Sequence, residues 1–165
     1  MGPFPHSAPK SQITKDNPAG TDGFEFVEFA HPDPQELRTL FTRMGYQKTA
    51  RHKTKDIELW QQGDITYLLN ADADSFAHEF VQEHGPCAPS MGWRVADAQK
   101  AFDHAVGKGA TPYTGTGKSL DVPAIIGIGG SLLYFVDQYY DTSPYNEEFE
   151  WLDVSKPKGV GFYYL

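Results

Sequence analysis

Landmarks typical of helix and strand ends occur twice along the 165-residue chain, at nearly constant spacing. The candidate helix caps Asp33 and Asp97 lie 64 positions apart, and the glycines that would end those helices, Gly45 and Gly109, have the same separation. Two further pairs lie 67 positions apart: Gly63 with Gly130, and Asn70 with Asp137. The halves therefore keep register through the helix, and one later loop gained three residues. We interpret this pattern as a duplication.

The first half indicates a strand, a helix and three further strands. Residues 24–30, FEFVEFA, alternate with one shift, which favours a strand. Asp33 then suits a helix N-cap and Pro34 suits the first helical position. Apolar residues follow at the spacing of one helix face: Leu37, Leu40, Phe41 and Met44. The remaining extended runs are residues 46–52, 56–62 and 65–70.

The second half repeats this order after a connecting helix, which we predict over residues 74–84. A strand is expected at residues 91–95, and a helix begins after its cap Asp97. Short strands are expected at residues 111–114, 120–126 and 132–137. The glycine-rich run 127–130 is expected to be a hairpin turn or bulge, because no helix follows it to bind an anion.

The predicted fold class is α+β, with two tandem βαβββ modules at about residues 21–72 and 88–138. Their strands would form one curled mixed sheet with the helices outside. Residues 1–20 are rich in Pro, Ser and Gly without a hydrophobic period, which predicts a disordered leader. Residues 139–165 carry eight aromatic side chains, too many for an idle linker: Tyr139, Tyr140, Tyr145, Phe149, Trp151, Phe162, Tyr163 and Tyr164.

Composition excludes several classes of protein. Hydrophobic residues make up 39% of the chain, enough for a folded core. The net charge is −8 without a basic block, which argues against nucleic acid and anionic membranes as partners. No apolar run approaches the roughly 20 residues of a membrane span. We also find no secretory signal pattern, which predicts a cytoplasmic protein. A single cysteine, Cys87, excludes an internal disulfide.

Few side chains suggest chemistry. Glu25 and Glu28 could be an acid–base pair, but they lie three apart on a strand and are expected on opposite faces, one exposed and one satisfied by a neighbour. Cys87 has no adjacent base to activate it. A local basic cluster could bind an anion, although a solvated hairpin is the favoured interpretation: Lys48, Arg51, His52, Lys53 and Lys55.

Five stretches of the chain resemble the N-terminal half of bacterial 4-hydroxyphenylpyruvate dioxygenases. They read NPAGTDGFEFVEFAHPDP from Asn17, GYQKTARHKTKDIELWQQGDITYLLN from Gly45, EHGP from Glu83, GWRVADAQKAFDHAVGKGA from Gly92 and LDVPAIIGIGGSLLYFVD from Leu120. The resemblance implies the vicinal oxygen chelate fold. It also implies a reaction of tyrosine catabolism, in which 4-hydroxyphenylpyruvate and O₂ give homogentisate and CO₂. The family's Fe(II) is held by two His and one carboxylate of a C-terminal domain.

We expect no catalytic, cofactor-binding or metal-binding residue in this chain. By the repeat, the positions equivalent to the family's iron ligands would be about Glu25, Met91 and Tyr134. A lone carboxylate, a thioether and a phenol are a poor ligand set for Fe(II) or Zn(II). The candidate histidines form no pair at a liganding spacing on one element: His31, His52, His78, His84 and His104.

The leading hypothesis is a non-metal N-terminal domain that supports the family's C-terminal catalytic domain and forms an oligomer contact. On this interpretation residues 139–165 lead into a catalytic domain absent from the chain, and the chain alone is inactive. One alternative is a stand-alone module that binds a small aromatic ligand among its interior aromatic side chains: Phe24, Phe26, Tyr67, Trp93 and Tyr134. Another is an independent metal-dependent lyase or isomerase of the same fold, which the missing ligands disfavour.

Overall fold

A computed structural model describes residues 9–139, 143–155 and 157–160, which form one mixed sheet with helices outside it. The strands are β1 Thr21–Ala30, β2 Gln47–His52, β3 Ile57–Gln62, β4 Ile65–Asn70, β5 Cys87–Val95, β6 Thr111–Pro112, β7 Ala124–Ile126, β8 Leu132–Val136 and β9 Phe149–Trp151. The α-helices are α1 Pro34–Arg43, α2 Phe76–His84 and α3 Ala98–Gly107, and a 3₁₀ turn spans Ile128–Gly130. In this part of the chain no helix is long and apolar enough to cross a membrane.

The strand order shows the duplication directly. It runs β6-β7-β8-β5-β1-β4-β3-β2-β9, so each half contributes four neighbouring strands. In the first half β1 is parallel to β4, and in the second half β5 is parallel to β8. The halves meet where β1 pairs antiparallel with β5. The predicted α+β fold of two βαβββ modules in one mixed sheet is confirmed.

Several strand limits differ from the sequence-based expectation. Strand β1 begins at Thr21 rather than Phe24, and β5 begins at Cys87 rather than Met91. Both are longer because they pair with each other over most of their length, from Thr21 opposite Val95 to Ala30 opposite Cys87. Strand β7 is shorter than predicted and starts at Ala124, directly after Pro123, which has no N–H to donate to a sheet.

Helix α1 begins as predicted and packs through fewer residues than predicted. The Asp33 side chain accepts the Gln35 N–H at 3.0 Å, and Pro34 occupies the first helical position. Leu37 and Phe41 are buried beneath the helix, but Leu40 is 48% exposed. The predicted apolar face was therefore too wide, because the helix rests on the sheet along a narrow line of contact.

The side of the sheet that faces away from α1 and α3 is called the inner side. The core on this inner side is shared by both modules. Phe26 of β1 and Leu68 of β4 pack in one cluster with Leu120 and Tyr134 of the second module. The ring of Phe26 lies so close to Gly92 that a Cβ there would be 2.4 Å from it, so the central strands can meet only at a glycine. Outer clusters under α1 and α3 cover the opposite side of the sheet.

Part of the segment after residue 138 belongs to the same sheet. Strand β9 pairs antiparallel with β2, and Tyr145 and Phe149 join the inner core at 2% exposure each. At the other end of the chain, residues 9–20 contain no helix or strand, but the Asn17 side chain caps the start of β1 by accepting the Thr21 N–H at 2.9 Å. The domain limits at residues 21 and 138 stay predictions. Residues 1–8, Tyr140, Phe162, Tyr163 and Tyr164 lie outside the described residues.

Candidate functional site

A buried carboxylate lies near one end of the inner face. Glu28 on β1 is 1% exposed and accepts a hydrogen bond from Asn70 Nδ2 on Oε1 at 2.8 Å. The hydroxyls of Ser119 and Ser90 donate to Oε1 and Oε2. These donors come from β4, from β5 and from the loop before β7, so Glu28 connects both modules. A carboxylate surrounded by such donors is satisfied by its own chain.

A second polar group lies toward the other end of the same face. Arg94 Nε donates to Glu25 Oε2 at 2.6 Å, and the Tyr145 hydroxyl donates to Glu25 Oε1 at 3.2 Å. Burial, and secondly the charge of Glu25, raise the pKa of Tyr145 well above its usual value. The phenol therefore stays protonated and remains a hydrogen-bond donor at neutral pH.

Glu25, Arg94 and Tyr145 line a cavity of about 380 Å³. It lies between the sheet and residues 143–154, the segment around β9. Its other walls are polar on the sheet side and partly aromatic on the β9 side: Thr49, Gln61, Asp64, Thr66, Tyr139, Ser143, Pro144, Trp151, Leu152 and Val154. Thr49 donates to Gln61, and Gln61 donates to Thr66, so the sheet-side wall is already hydrogen-bonded. The cavity offers polar contacts, and we find no activated nucleophile among its described lining residues.

The expected placement of the two glutamates on opposite faces was wrong. Glu25 is 6% exposed and Glu28 is 1% exposed, and both reach the inner side. The reason is irregular pairing of β1 with β5, where the register shifts between Phe24 and Phe26. Such a bulge interrupts the alternation of side chains that the prediction assumed. Neither Arg94 nor the serines that bind Glu28 gave a recognisable signal in the sequence.

The positions proposed as equivalents of iron ligands do not come together. Glu25 and Tyr134 point to the inner side of the sheet. Met91 is the cross-strand neighbour of Val27 on β1 and of Leu133 on β8, and Leu133 packs in the outer cluster under α3. Met91 therefore faces the outer side. The described residues contain no group of three or more His, Cys, Asp or Glu side chains that could hold a metal ion. The side chains at these positions therefore do not form the two-His, one-carboxylate set that the family resemblance implies for a C-terminal domain.

The predicted aromatic interior is only partly inside. Phe26 and Tyr134 are buried and face each other with ring centroids 5.6 Å apart. Tyr67 instead packs in the outer cluster beneath α1. Trp93 packs edge-on against Phe24, which is 41% exposed. Tyr67 and Trp93 alternate with the inward-facing Leu68 and Arg94 and therefore lie on the other face of the sheet. Phe24 lies there too, opposite Trp93, because the register shift between Phe24 and Phe26 places these two residues on different faces.

Cys87 behaves as a structural thiol. It packs beside a small buried cluster of Ala30, Ala77 and Val81. Burial, followed by the nearby charge of Glu28, raises the pKa of Cys87 above its usual value. A raised pKa lowers the thiolate fraction at neutral pH.

The basic cluster at residues 48–55 mostly contacts the segment around β9. Arg51 pairs with Glu150 at 2.7 Å, and Lys53 donates to backbone carbonyl groups of Asn146 and Glu147. Lys48 pairs instead with Glu58 on the neighbouring strand at 3.2 Å. Arg51 and Lys53 therefore hold the segment around β9 against strand β2, a contact that the sequence alone did not predict.

His52 is the buried member of this cluster, at 8% exposure. Its Nδ1 accepts the backbone N–H groups of Thr54 and Lys55, each at 3.1 Å, and its Nε2 lies 3.4 Å from Glu148 Oε2. Burial is the largest cause that lowers the pKa of His52, and it outweighs the attraction of Glu148. Protonation would place a hydrogen on Nδ1 against two N–H donors.

We expect acidification to destabilise the fold through His52. Because its pKa is lowered on folding, the unfolded chain binds the extra proton more readily, and the free energy of unfolding falls as the pH drops below about 6.5. Urea unfolding from pH 7.5 to pH 5 measures this slope. His52→Asn should flatten it, whereas His78→Asn, at an exposed position, should leave it unchanged. Equal slopes in all three proteins would contradict the assignment.

Comparison with known proteins gives the family. The family model described as hydroxyphenylpyruvate dioxygenase, HPPD, N-terminal, matches residues 15–150. The chain belongs to this family. It is 42% identical over 163 residues to the 4-hydroxyphenylpyruvate dioxygenase of Pseudomonas aeruginosa, covering 94% of this chain and 45% of that protein. It is 43% identical over 149 residues to that of Pseudomonas sp. (strain P.J. 874), covering 88% and 42%.

A solved structure supports the same assignment. A xylose isomerase-like TIM barrel/4-hydroxyphenylpyruvate dioxygenase fusion protein superposes with a TM-score of 0.76 at 32% identity, over 92% of this chain and 23% of that one. The fold of this HPPD N-terminal domain is the vicinal oxygen chelate fold, as the resemblance implied. The chain spans less than half the length of the two curated relatives above.

Proposed function

We propose that this HPPD N-terminal domain is the non-catalytic half of a 4-hydroxyphenylpyruvate dioxygenase. Its role is to support and orient a C-terminal half, in which two His and one carboxylate hold Fe(II) and 4-hydroxyphenylpyruvate reacts with O₂ to give homogentisate and CO₂. The family match and the relatives, whose length is more than twice the matched part, support this proposal. Homo-oligomerisation and a cytoplasmic location belong to the same proposal, and sedimentation of the purified chain tests the first.

The observation that carries the proposal is the composition of the inner face. Its middle is filled by Phe26, Leu68 and Tyr134, and the carboxylates near its two ends are satisfied by the chain's own donors. An iron site would need imidazoles and a carboxylate converging on one point of this face. Among the residues that the structure describes, no such set lies on this face.

Metal analysis tests the proposal. We expect the purified chain to hold far less than one iron after aerobic purification and again after Fe(II) reconstitution, and to leave 4-hydroxyphenylpyruvate unconsumed under O₂. The P. aeruginosa dioxygenase, treated in the same way, is the positive control. One tightly held iron per chain would contradict a non-metal role and favour an independent metalloenzyme.

A thermal-shift titration with 4-hydroxyphenylpyruvate separates the proposal from the alternative of an aromatic-ligand module. A domain that does not bind 4-hydroxyphenylpyruvate should keep its Tm, because a ligand raises Tm only by binding the folded state. A concentration-dependent rise of Tm without any turnover would instead assign a binding function to the cavity beside Glu25 and Arg94.

A further inference from the structure

Residues 157–160 lie against the first module. The backbone returns to the tip of the hairpin between β3 and β4, where the Gly63 N–H donates to the Pro157 carbonyl at 3.0 Å. It then reaches the C-terminal end of α1, where Val160 lies against Gly45. Residues 157–160 are thus held against two elements of the first module.

One buried side chain makes the connection. Gln62, the last residue of β3, is fully buried, and both ends of its amide are used. Nε2 donates to the Met44 carbonyl at 2.8 Å, and Oε1 accepts the Val160 N–H at 2.8 Å. The two backbone partners fix the orientation of the amide, since one can only accept and the other can only donate. Gln62 therefore links the end of α1 to the later chain.

Glycine is required where the chain passes this amide. Gly159 has φ +86°, and a Cβ there would lie 2.4 Å from Gln62 Cγ and Oε1. Gly45 has φ +87°, and a Cβ there would lie 3.2 Å from Val160 Cγ1. Both positions combine a left-handed backbone with a close approach, which is a conformation that only glycine adopts without strain. The position of residues 157–160 beside Gln62 therefore depends on these two glycines as well as on the Gln62 side chain.

We propose that Gln62 is an interdomain joint, a positioning residue that fixes the direction in which the polypeptide leaves this domain toward the following half of the protein. The inference rests on the proposed function, because it takes the following half to be the catalytic one. In the P. aeruginosa relative more than half of the polypeptide lies outside the region matched by this chain, and the matched family model is the N-terminal one. A fixed exit limits the positions that such a second half can take relative to the first.

Hydrogen exchange of the Val160 amide tests the joint in the chain as it is. In Gln62→Leu this amide loses its acceptor, and we expect it to exchange about tenfold faster, the change that corresponds to losing roughly 1.4 kcal/mol of a hydrogen bond. Amides of β4, such as that of Leu68, should keep their relative protection. Gln61→Leu is the matched control, because Gln61 is a buried neighbour whose hydrogen bonds go to Thr49 and Thr66. It should leave Val160 unchanged relative to β4.

Two further variants keep the test decisive if Gln62→Leu does not fold. Gln62→Glu retains an acceptor for the Val160 N–H but cannot donate to the Met44 carbonyl, so Val160 should stay protected. Gly159→Ala forces the chain away from Gln62, so Val160 should exchange faster. Unchanged exchange of Val160 in both Gln62→Leu and Gly159→Ala would overturn the joint. That outcome is separate from iron binding by the chain, which would instead overturn the proposed function.

Discussion

A polypeptide of residues 21–72 alone will show no cooperative unfolding transition in urea. This first module places Phe26, Leu59 and Leu68 on the inner side of its sheet, where their packing partners belong to the second module and to the segment around β9. Strand β1 lies in the middle of the complete sheet, and in the isolated module it would lose its pairing with β5 and become an edge strand. About 50 residues with one sheet face uncovered bury too little apolar surface to fold alone.

The complete chain is the control for this experiment, and it should unfold in a single transition when followed by tryptophan fluorescence and by circular dichroism. Coincident curves from the two probes would show that both modules unfold together. A sigmoidal transition of the 21–72 fragment, with native-like strand content before it, would show that the shared core is dispensable and would contradict the expectation.

Phe41→Ala will lower the free energy of unfolding by about 3–5 kcal/mol, the usual cost of emptying a buried aromatic position. Phe41 is 1% exposed and is the centre of the outer cluster beneath α1. Its ring lies 5.2 Å from that of Tyr67 and 5.8 Å from that of Trp60, centroid to centroid. Large side chains surround this ring on several sides, so removing it should leave a cavity.

Leu40→Ala is the matched control, since it shortens the adjacent residue of the same helix at a position that is 48% exposed. It should change the free energy of unfolding by less than about 1 kcal/mol. Urea unfolding of both variants at pH 7.5 gives the comparison. Similar losses in the two variants would show that α1 contacts the sheet through a wider face than the structure indicates.

Much of the architecture could be read from local signals. The caps Asp33 and Asp97 and the glycines Gly45 and Gly109 mark both module helices correctly, because capping and left-handed glycine conformations depend on a few consecutive residues. Their constant spacing revealed the duplication, and the duplication predicted one sheet made of two similar halves. The family resemblance also follows from the sequence, since it needs only the order of residues along the chain.

The interior was harder to predict because its contacts join residues that are far apart in sequence. The Ser119 and Ser90 hydroxyls donate to Glu28 from the second module. Nothing in the sequence around these serines indicates that they bind a carboxylate of the first module. The inward turn of Glu25 depends on irregular pairing between β1 and β5, which the alternation within one strand cannot reveal.

The order of residues along the chain was enough to identify the family and to predict the two-module α+β fold, since both depend on local pattern or residue type. The face that each strand residue occupies became clear only in the folded protein, where Met91 lies outside and Glu25 inside. There the segment around β9 completes the sheet, and Gln62 holds the chain beyond it. Side-chain alternation and helix periodicity are local, whereas register and hydrogen-bond partners are set by strands that meet only in the folded protein.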